Sequence, residues 1–191
     1  CGGLPIISVS HKPMMLGTNI CVGDVGRSGH NAFRQLQIGA RLAATRFVCT
    51  AEADYLYPKE YFQFVPPTED AFYLADPVYL LCTSDPVKRD FMPMPKHWRE
   101  GASVVGRDYL IRAIDDCMTY GTEWQRRGEP RGKRQDLFLN KKMYVFQVPV
   151  PVVTFKTPDN MHSNTCYRMR PRMSSLSGWG NSEDLIRQYY G

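Results

Sequence analysis

The sequence predicts an α/β protein, a mostly parallel mixed sheet flanked by helices. Two observations carry that expectation. Short β-branched runs at residues 4–10 and 46–54 enclose a segment of helical period, a strand-helix-strand unit over about 45 residues, so parallel pairing is expected there. The chain of 191 residues, 43% hydrophobic and 23% charged, has the size and balance of one globular domain, and a single domain over 1–191 is expected.

Each element follows from a local pattern. LPIISVS (4–10) is short and β-branched, a buried strand entered from Gly2-Gly3. Pro13 and Gly17 make HKPMMLGTN a loop, and ICVGDVGRSG is a brief extended piece broken by three glycines. From residue 30 the period changes. Phe33, Leu36, Ala40 and Ala43 share one face with Leu42 beside them, which predicts an amphipathic helix capped by Ser28 or Asn31. RFVCTAEAD is the next strand, and YPKEYFQF forms a short helix with Pro58 in its first turn.

AFYLADPVYLLC reads as two short strands split by Asp76-Pro77, followed by a Pro-rich loop from Asp85 to Pro95. Ser103 to Val105 form a strand and Asp108 to Met118 a helix, with Leu110, Ile111, Ile114 and Met118 inward. KMYVFQVPVPVVTF is extended; Pro149 and Pro151 confine it to an edge or a bulged strand. The tail GWGNSEDLIRQYYG opens on glycine turns and ends in a short helix. There is no internal repeat and no low-complexity segment.

Charge and cysteine content narrow the partners. The net charge of +5 is concentrated in Arg126, Arg127, Arg131, Lys133 and Arg134, and again in Arg168, Arg170 and Arg172. Such clusters suit phosphates on a nucleotide or a nucleic acid, or are simply solvated. Six cysteines without Cys-x-x-Cys spacing read as free thiols in a reducing compartment, which argues against disulfides and a structural zinc. The longest apolar runs, such as Val78 to Cys82, are too short to span a bilayer, and no signal peptide is visible, so a cytoplasmic protein is expected. The chain opens on Cys1 rather than Met, as though its first residues were trimmed.

Glu52-Ala53-Asp54 follows a predicted buried strand. Side chains at i and i+2 of an extended segment point the same way, so both carboxylates can face one ion. Ligands beyond the carboxyl ends of strands are the rule in open α/β sheets, and oxygen donors suit Mg²⁺ or Mn²⁺ holding nucleotide phosphates. The alternative is a solvated strand end.

Residues 28–62, SGHNAFRQLQIGARLAATRFVCTAEADYLYPKEYF, resemble the segment of GT-A fold nucleotide-sugar glycosyltransferases that runs from a helix with an Arg/Asn-x-x-Gly pattern to the Asp-x-Asp motif. Arg34 and Gly39 stand in the helix, and Glu52-Ala53-Asp54 stands where Asp-x-Asp would be, with Glu in place of the first Asp. The resemblance implies a GT-A-like, Rossmann-like fold of family 2 type that lacks the usual first strand-helix unit. It also implies a metal-dependent hexosyltransferase moving a sugar from a nucleoside diphosphate sugar to an acceptor hydroxyl.

The resemblance further implies Asp54, Glu52 and His162 as ligands of Mn²⁺ or Mg²⁺, and Ser10, Arg34, Glu52 and Asp54 as donor-binding residues, with Lys12 and Asp24 as possible partners of the base. REGASVVGRDYLIRAIDD is similar to the acceptor-side segment. Asp115 and Asp116 are then candidates for the base that takes the acceptor proton, or are plain acids on a polar helix face. GWGNSEDL is similar to a Gly-Trp-Gly-Gly-Glu-Asp motif, which implies acceptor binding by Trp179, Glu183 and Asp184; first-turn acids favoured by the helix dipole are the alternative. Arg27, Arg34 or the basic loop could clamp phosphates. Two other functions stay open: glycosylation of modified bases in DNA along a groove formed by Trp124 and the basic loop, and a catalytically silent relative. The acceptor class spans glycans, small molecules and modified DNA.

Overall fold

The computed structural model describes residues 3–83, 89–94, 99–118, 123–125, 137–157 and 172–190. His162, the basic loop 126–134, Arg168 and Arg170 lie outside the described residues. The architecture is α/β, a mixed sheet flanked by helices. Among the described residues the strands are β1 (Ile7–Ser10), β2 (Thr18–Cys21), β3 (Phe47–Cys49), β4 (Tyr55–Leu56), β5 (Phe72–Cys82), β6 (Phe91–Pro93), β7 (Ser103–Gly106), β8 (Met143–Lys156), β9 (Ser175–Leu176) and β10 (Gly180–Asn181). The α-helices among them are α1 (Gly29–Leu42), α2 (Arg107–Cys117) and α3 (Ser182–Tyr190), with 3-10 turns at Lys59–Gln63 and Glu100–Ala102.

β1 and β2 form a parallel pair, and the main sheet runs β3-β7-β5-β8-β4 with β6 on β5. The expected parallel crossover into β3 is not found. β3 pairs antiparallel with β7, Val48 opposite Val105, and the registered β4–β8 and β5–β6 pairs are antiparallel as well. Parallel pairing among the registered strands is thus confined to β1–β2, where a mostly parallel sheet was expected. Periodicity reports that a segment is extended, while the direction of its partner depends on a segment far along the chain.

The chain divides into two compact units. The first comprises residues 1–49, 65–73 and 104–144, and the second 50–64, 74–103 and 145–191. In the first unit, Ser28 caps α1 by accepting a hydrogen bond from the Asn31 amide at 3.1 Å, as expected. α1 lies on β1 at Gly39, where a Cβ would meet Val9 Cγ2 at 3.6 Å. Its buried face is more polar than the apolar pattern predicts: His30, Asn31 and Gln37 are buried beside Phe33 and Ala40, whereas Leu36 is half-buried and Leu42 exposed. α2 buries Leu110, Ala113 and Ile114, with Ile111 and Met118 half-buried. Phe72 packs edge-on against Phe138, ring centroids 5.1 Å apart; burying such a ring contributes about 1.5–3 kcal/mol.

In the second unit Leu81, Phe91, Val153, Phe155, Leu176, Leu185 and Ile186 form one core cluster. Val153 and Phe155, in the continuously buried end of β8, and Leu185 and Ile186 of α3 supply most of it. β5 is one continuous strand through a cis Asp76–Pro77 bond, not two strands split there. β8 is not an edge strand, since it stands between β5 and β4. Its prolines are tolerated because β4 pairs only with Val153 and Thr154, which leaves Pro149 and Pro151 outside that register.

The cysteines also depart from expectation. Cys21, Cys49 and Cys117 form no disulfide, but Cys82, at the end of β5, is disulfide-bonded. An apolar run accommodates a thiol and a half-cystine equally well, so sequence context could not separate them. The reading of free thiols throughout, and the reducing compartment inferred from it, therefore lose their footing. Among the described residues, no helix is long and apolar enough to cross a membrane.

Candidate functional site

Glu52 and Asp54 lie in the second unit, in the segment that joins β3 to β4. The strand ends earlier than the sequence suggests, at Cys49, and Ala53 and Asp54 form a turn rather than an extended continuation. Main-chain bonds fix the segment at both ends. The Thr50 amide donates to the Ser103 carbonyl at 2.8 Å, and the Phe155 amide donates to the Asp54 carbonyl at 2.7 Å. The turn itself closes with the Tyr55 amide donating to the Glu52 carbonyl at 3.3 Å.

An aromatic wall supports the turn. The Tyr57 hydroxyl accepts from the Glu52 amide at 2.9 Å and donates to the Gly101 carbonyl. Its ring packs on Tyr55 and Tyr61, centroids 5.6 and 4.8 Å away. Tyr61 is fully buried and its hydroxyl reaches the carbonyls of Thr50 and Ser103 at 2.6 and 2.8 Å. Burial, opposed by the hydrogen bond from the Glu52 amide and helped by the nearby acids, pushes the Tyr57 phenol well up, so it stays neutral and serves as a bridging hydroxyl.

The carboxylates differ in setting. The Glu52 carboxyl lies against Gly101, and its pKa is pushed up to about 7 by burial first, then by the negative charges of Asp54 and Glu100, against the pull of Lys156. Glu52 as a whole residue is exposed, so water reaching it tempers the effect of burial; the like charge of Asp54 on the same turn is the contribution the geometry fixes. The Asp54 carboxylate faces Lys156 Nζ at 3.5 Å, with side-chain exposures of 24% and 19%. On this turn, two acids and Lys156 therefore meet, with Glu100 close enough to be felt.

The fully enclosed support behind Gly101 is Arg99, 5% exposed. Its guanidinium donates to the Met94 carbonyl at 3.2 and 2.8 Å, to the Ala75 carbonyl at 2.9 Å and to Asp76 Oδ1 at 2.6 Å. That fork positions the Glu100–Ala102 turn on which the Glu52 carboxyl rests. Lys156, Tyr57, Gly101 and Arg99 were not singled out from sequence.

The other expected site residues separate by unit. In the first, the Ser10 hydroxyl donates to the Lys12 carbonyl at 2.7 Å and accepts from Asn19 at 2.9 Å. Arg34 donates to Gln37 at 2.9 Å and lies over the Trp124 ring at 6.0 Å. Asp24 approaches His11 at 4.0 Å. Asp115 accepts from Gln37 at 2.6 Å and faces Arg41 at 3.4 Å, an α1–α2 contact, while Asp116 pairs with Lys141. In the second unit, the Trp179 indole donates to the Pro151 carbonyl at 2.6 Å and packs on the core. Glu183 and Asp184 occupy the first turn of α3, pairing with Arg89 at 3.4 Å and Arg187 at 3.6 Å.

Glu52 and Asp54 offer oxygen donors alone, the chemistry that Mg²⁺ or Mn²⁺ takes, and could supply two ligands to such an ion. Among the described residues, no group of three or more His, Cys, Asp or Glu side chains is placed to hold one. Comparison with family models, curated proteins and solved structures finds no match to the chain.

Proposed function

We propose that the chain is a metal-dependent glycosyltransferase that moves a sugar from a nucleoside diphosphate sugar to an acceptor hydroxyl. One observation carries the reading: two carboxylates, Glu52 and Asp54, are held on one main-chain-anchored turn, where the charge of Asp54 acts on Glu52. Two like charges on one turn favour a shared cation, a place that Lys156 takes beside Asp54 in the metal-free chain. Asp54 and Glu52 would hold Mn²⁺ or Mg²⁺, and the bound ion supplies neutralisation of charge on the departing diphosphate. Tyr57 holds the Glu52 main chain, and Gly101 leaves room for its carboxyl. Both helix acids are engaged within the first unit, Asp115 by Gln37 and Arg41 and Asp116 by Lys141, so neither is singled out as the base toward the acceptor.

Calorimetric titration of Mn²⁺ into the wild type and Asp54→Asn tests the reading, alongside Mn²⁺-dependent hydrolysis of a panel of nucleotide sugars. Binding and hydrolysis in the wild type, both lost in Asp54→Asn, support it; full activity in the variant overturns it. A second reading draws on the Asp54–Lys156 ion pair. A catalytically silent relative would use its acids to hold that lysine, and would bind neither Mn²⁺ nor a nucleotide sugar. Glycosylation of DNA bases stays open as the acceptor question within the first reading.

A further inference from the structure

Lys156 is the last residue of β8, and its place is set by the main chain on both sides. Its carbonyl accepts from the Thr83 amide at 3.0 Å and the Thr83 hydroxyl at 3.3 Å, while the adjacent Phe155 amide donates to the Asp54 carbonyl at 2.7 Å. The ammonium therefore does not reach the acid from a loose loop. It is carried there by the same strand that binds the backbone of Asp54. With Asp54 and Lys156 side chains 24% and 19% exposed, the pair is poorly screened by solvent.

From this geometry we infer that Lys156 is the built-in counter-ion of the acid pair and competes with a divalent cation for Asp54. The inference rests on the proposed metal-binding role of Glu52 and Asp54. An ion taking Asp54 Oδ2 meets a like charge held 3.5 Å from that oxygen, so binding requires the ammonium to swing away. The lysine stem has the rotatable bonds for this, while its backbone stays pinned. Lys156 thus sets how much free metal the site needs, and keeps the acids neutralised when metal is scarce.

The test uses the full chain and Mn²⁺ alone. Calorimetry compares wild type, Lys156→Met and Lys156→Arg at one ionic strength, with thermal unfolding to verify that each is folded. Lys156→Met is expected to bind Mn²⁺ roughly ten-fold more tightly, the size of a typical coupling between two ligands, and Lys156→Arg to return to the wild-type value. Equal or weaker binding in Lys156→Met overturns the inference while leaving the metal reading of the wild type intact. Absence of binding in all three overturns both. A second measurement needs no variant: acetylation of Lys156 in the wild type, followed by mass spectrometry, should speed up several-fold when Mn²⁺ is added. An unchanged or slower rate with Mn²⁺ bound counts against displacement.

Discussion

The Glu52 carboxyl lies in the space that a side chain at Gly101 would fill: a Cβ there would meet Oε1 at 2.5 Å and Cδ at 2.7 Å. The atoms in the way belong to the far end of a flexible side chain. Gly101→Ala should therefore cost little stability, under about 1 kcal/mol, because Glu52 can swing aside. The direction of its carboxyl is lost in doing so, and Mn²⁺ affinity should fall roughly ten-fold, as for other changes to groups that orient a metal ligand. Urea unfolding and calorimetry on the same sample separate the two effects; an unchanged affinity would show that Gly101 does not orient Glu52.

Tyr57 ties the same turn from the other side. Tyr57→Phe keeps the ring contacts with Tyr55 and Tyr61 but removes the acceptor of the Glu52 amide and the donor to the Gly101 carbonyl. Leaving those groups without a partner costs about 1–3 kcal/mol. Denaturant unfolding of Tyr57→Phe should show that loss, and a midpoint equal to the wild type would mean that water replaces the hydroxyl at no cost.

Glu52 binds its proton more tightly in the folded chain, at about 7 against an ordinary 4.5, so the folded state holds more protons than the unfolded one between those values. Its contribution is complete below about pH 4.5 and is lost as pH rises through about 7. Relative to Glu52→Gln, the wild type should lose stability across that window when metal is absent. Urea midpoints of the two proteins at pH 5 and pH 8 provide the measurement, and parallel profiles would refute it. Solvent access to Glu52 keeps the amplitude below what the full shift would give.

Arg99 is a different case, since its charge is buried and fully engaged. Arg99→Met removes the cation from Asp76, which keeps its bond from Gln147, and takes the donor from the carbonyls of Ala75 and Met94, a loss of about 2–4 kcal/mol. Arg99→Lys keeps the charge but not the planar fork, so it should recover only part of the loss. Thermal unfolding of both variants would expose a wrong assignment if either matched the wild type.

The local parts of the fold were legible in the sequence. α1 declared itself through Phe33, Ala40 and the Ser28 cap, α2 through Leu110 and Ile114, and the Pro58 turn through its proline. Each depends on neighbours within a few residues. The pairing direction of β3, the continuity of β5 and the inner position of β8 depend on partners far along the chain, and there local rules pointed the wrong way. Gln37 shows the same limit: it is buried because Asp115 on α2 meets it, which no helical pattern in α1 reveals. At the site, the acids were visible because a short apolar run stops just before them. Lys156 and Gly101 were not, since a lysine ending a strand and a glycine in a turn acquire meaning only when the fold brings them to Glu52 and Asp54.

The two prolines of β8 and the Trp179 indole have a consequence for the behaviour of the protein in concentrated solution. Pro149 and Pro151 offer no amide, and the Pro151 carbonyl is already taken by Trp179, while Val150 lies under Gly178 so closely that a Cβ there would collide with it. A neighbouring chain seeking to add a strand along this stretch meets missing donors, an occupied acceptor and a covering turn. Trp179, read from sequence as an acceptor contact, thus also closes this stretch of β8 to a further strand.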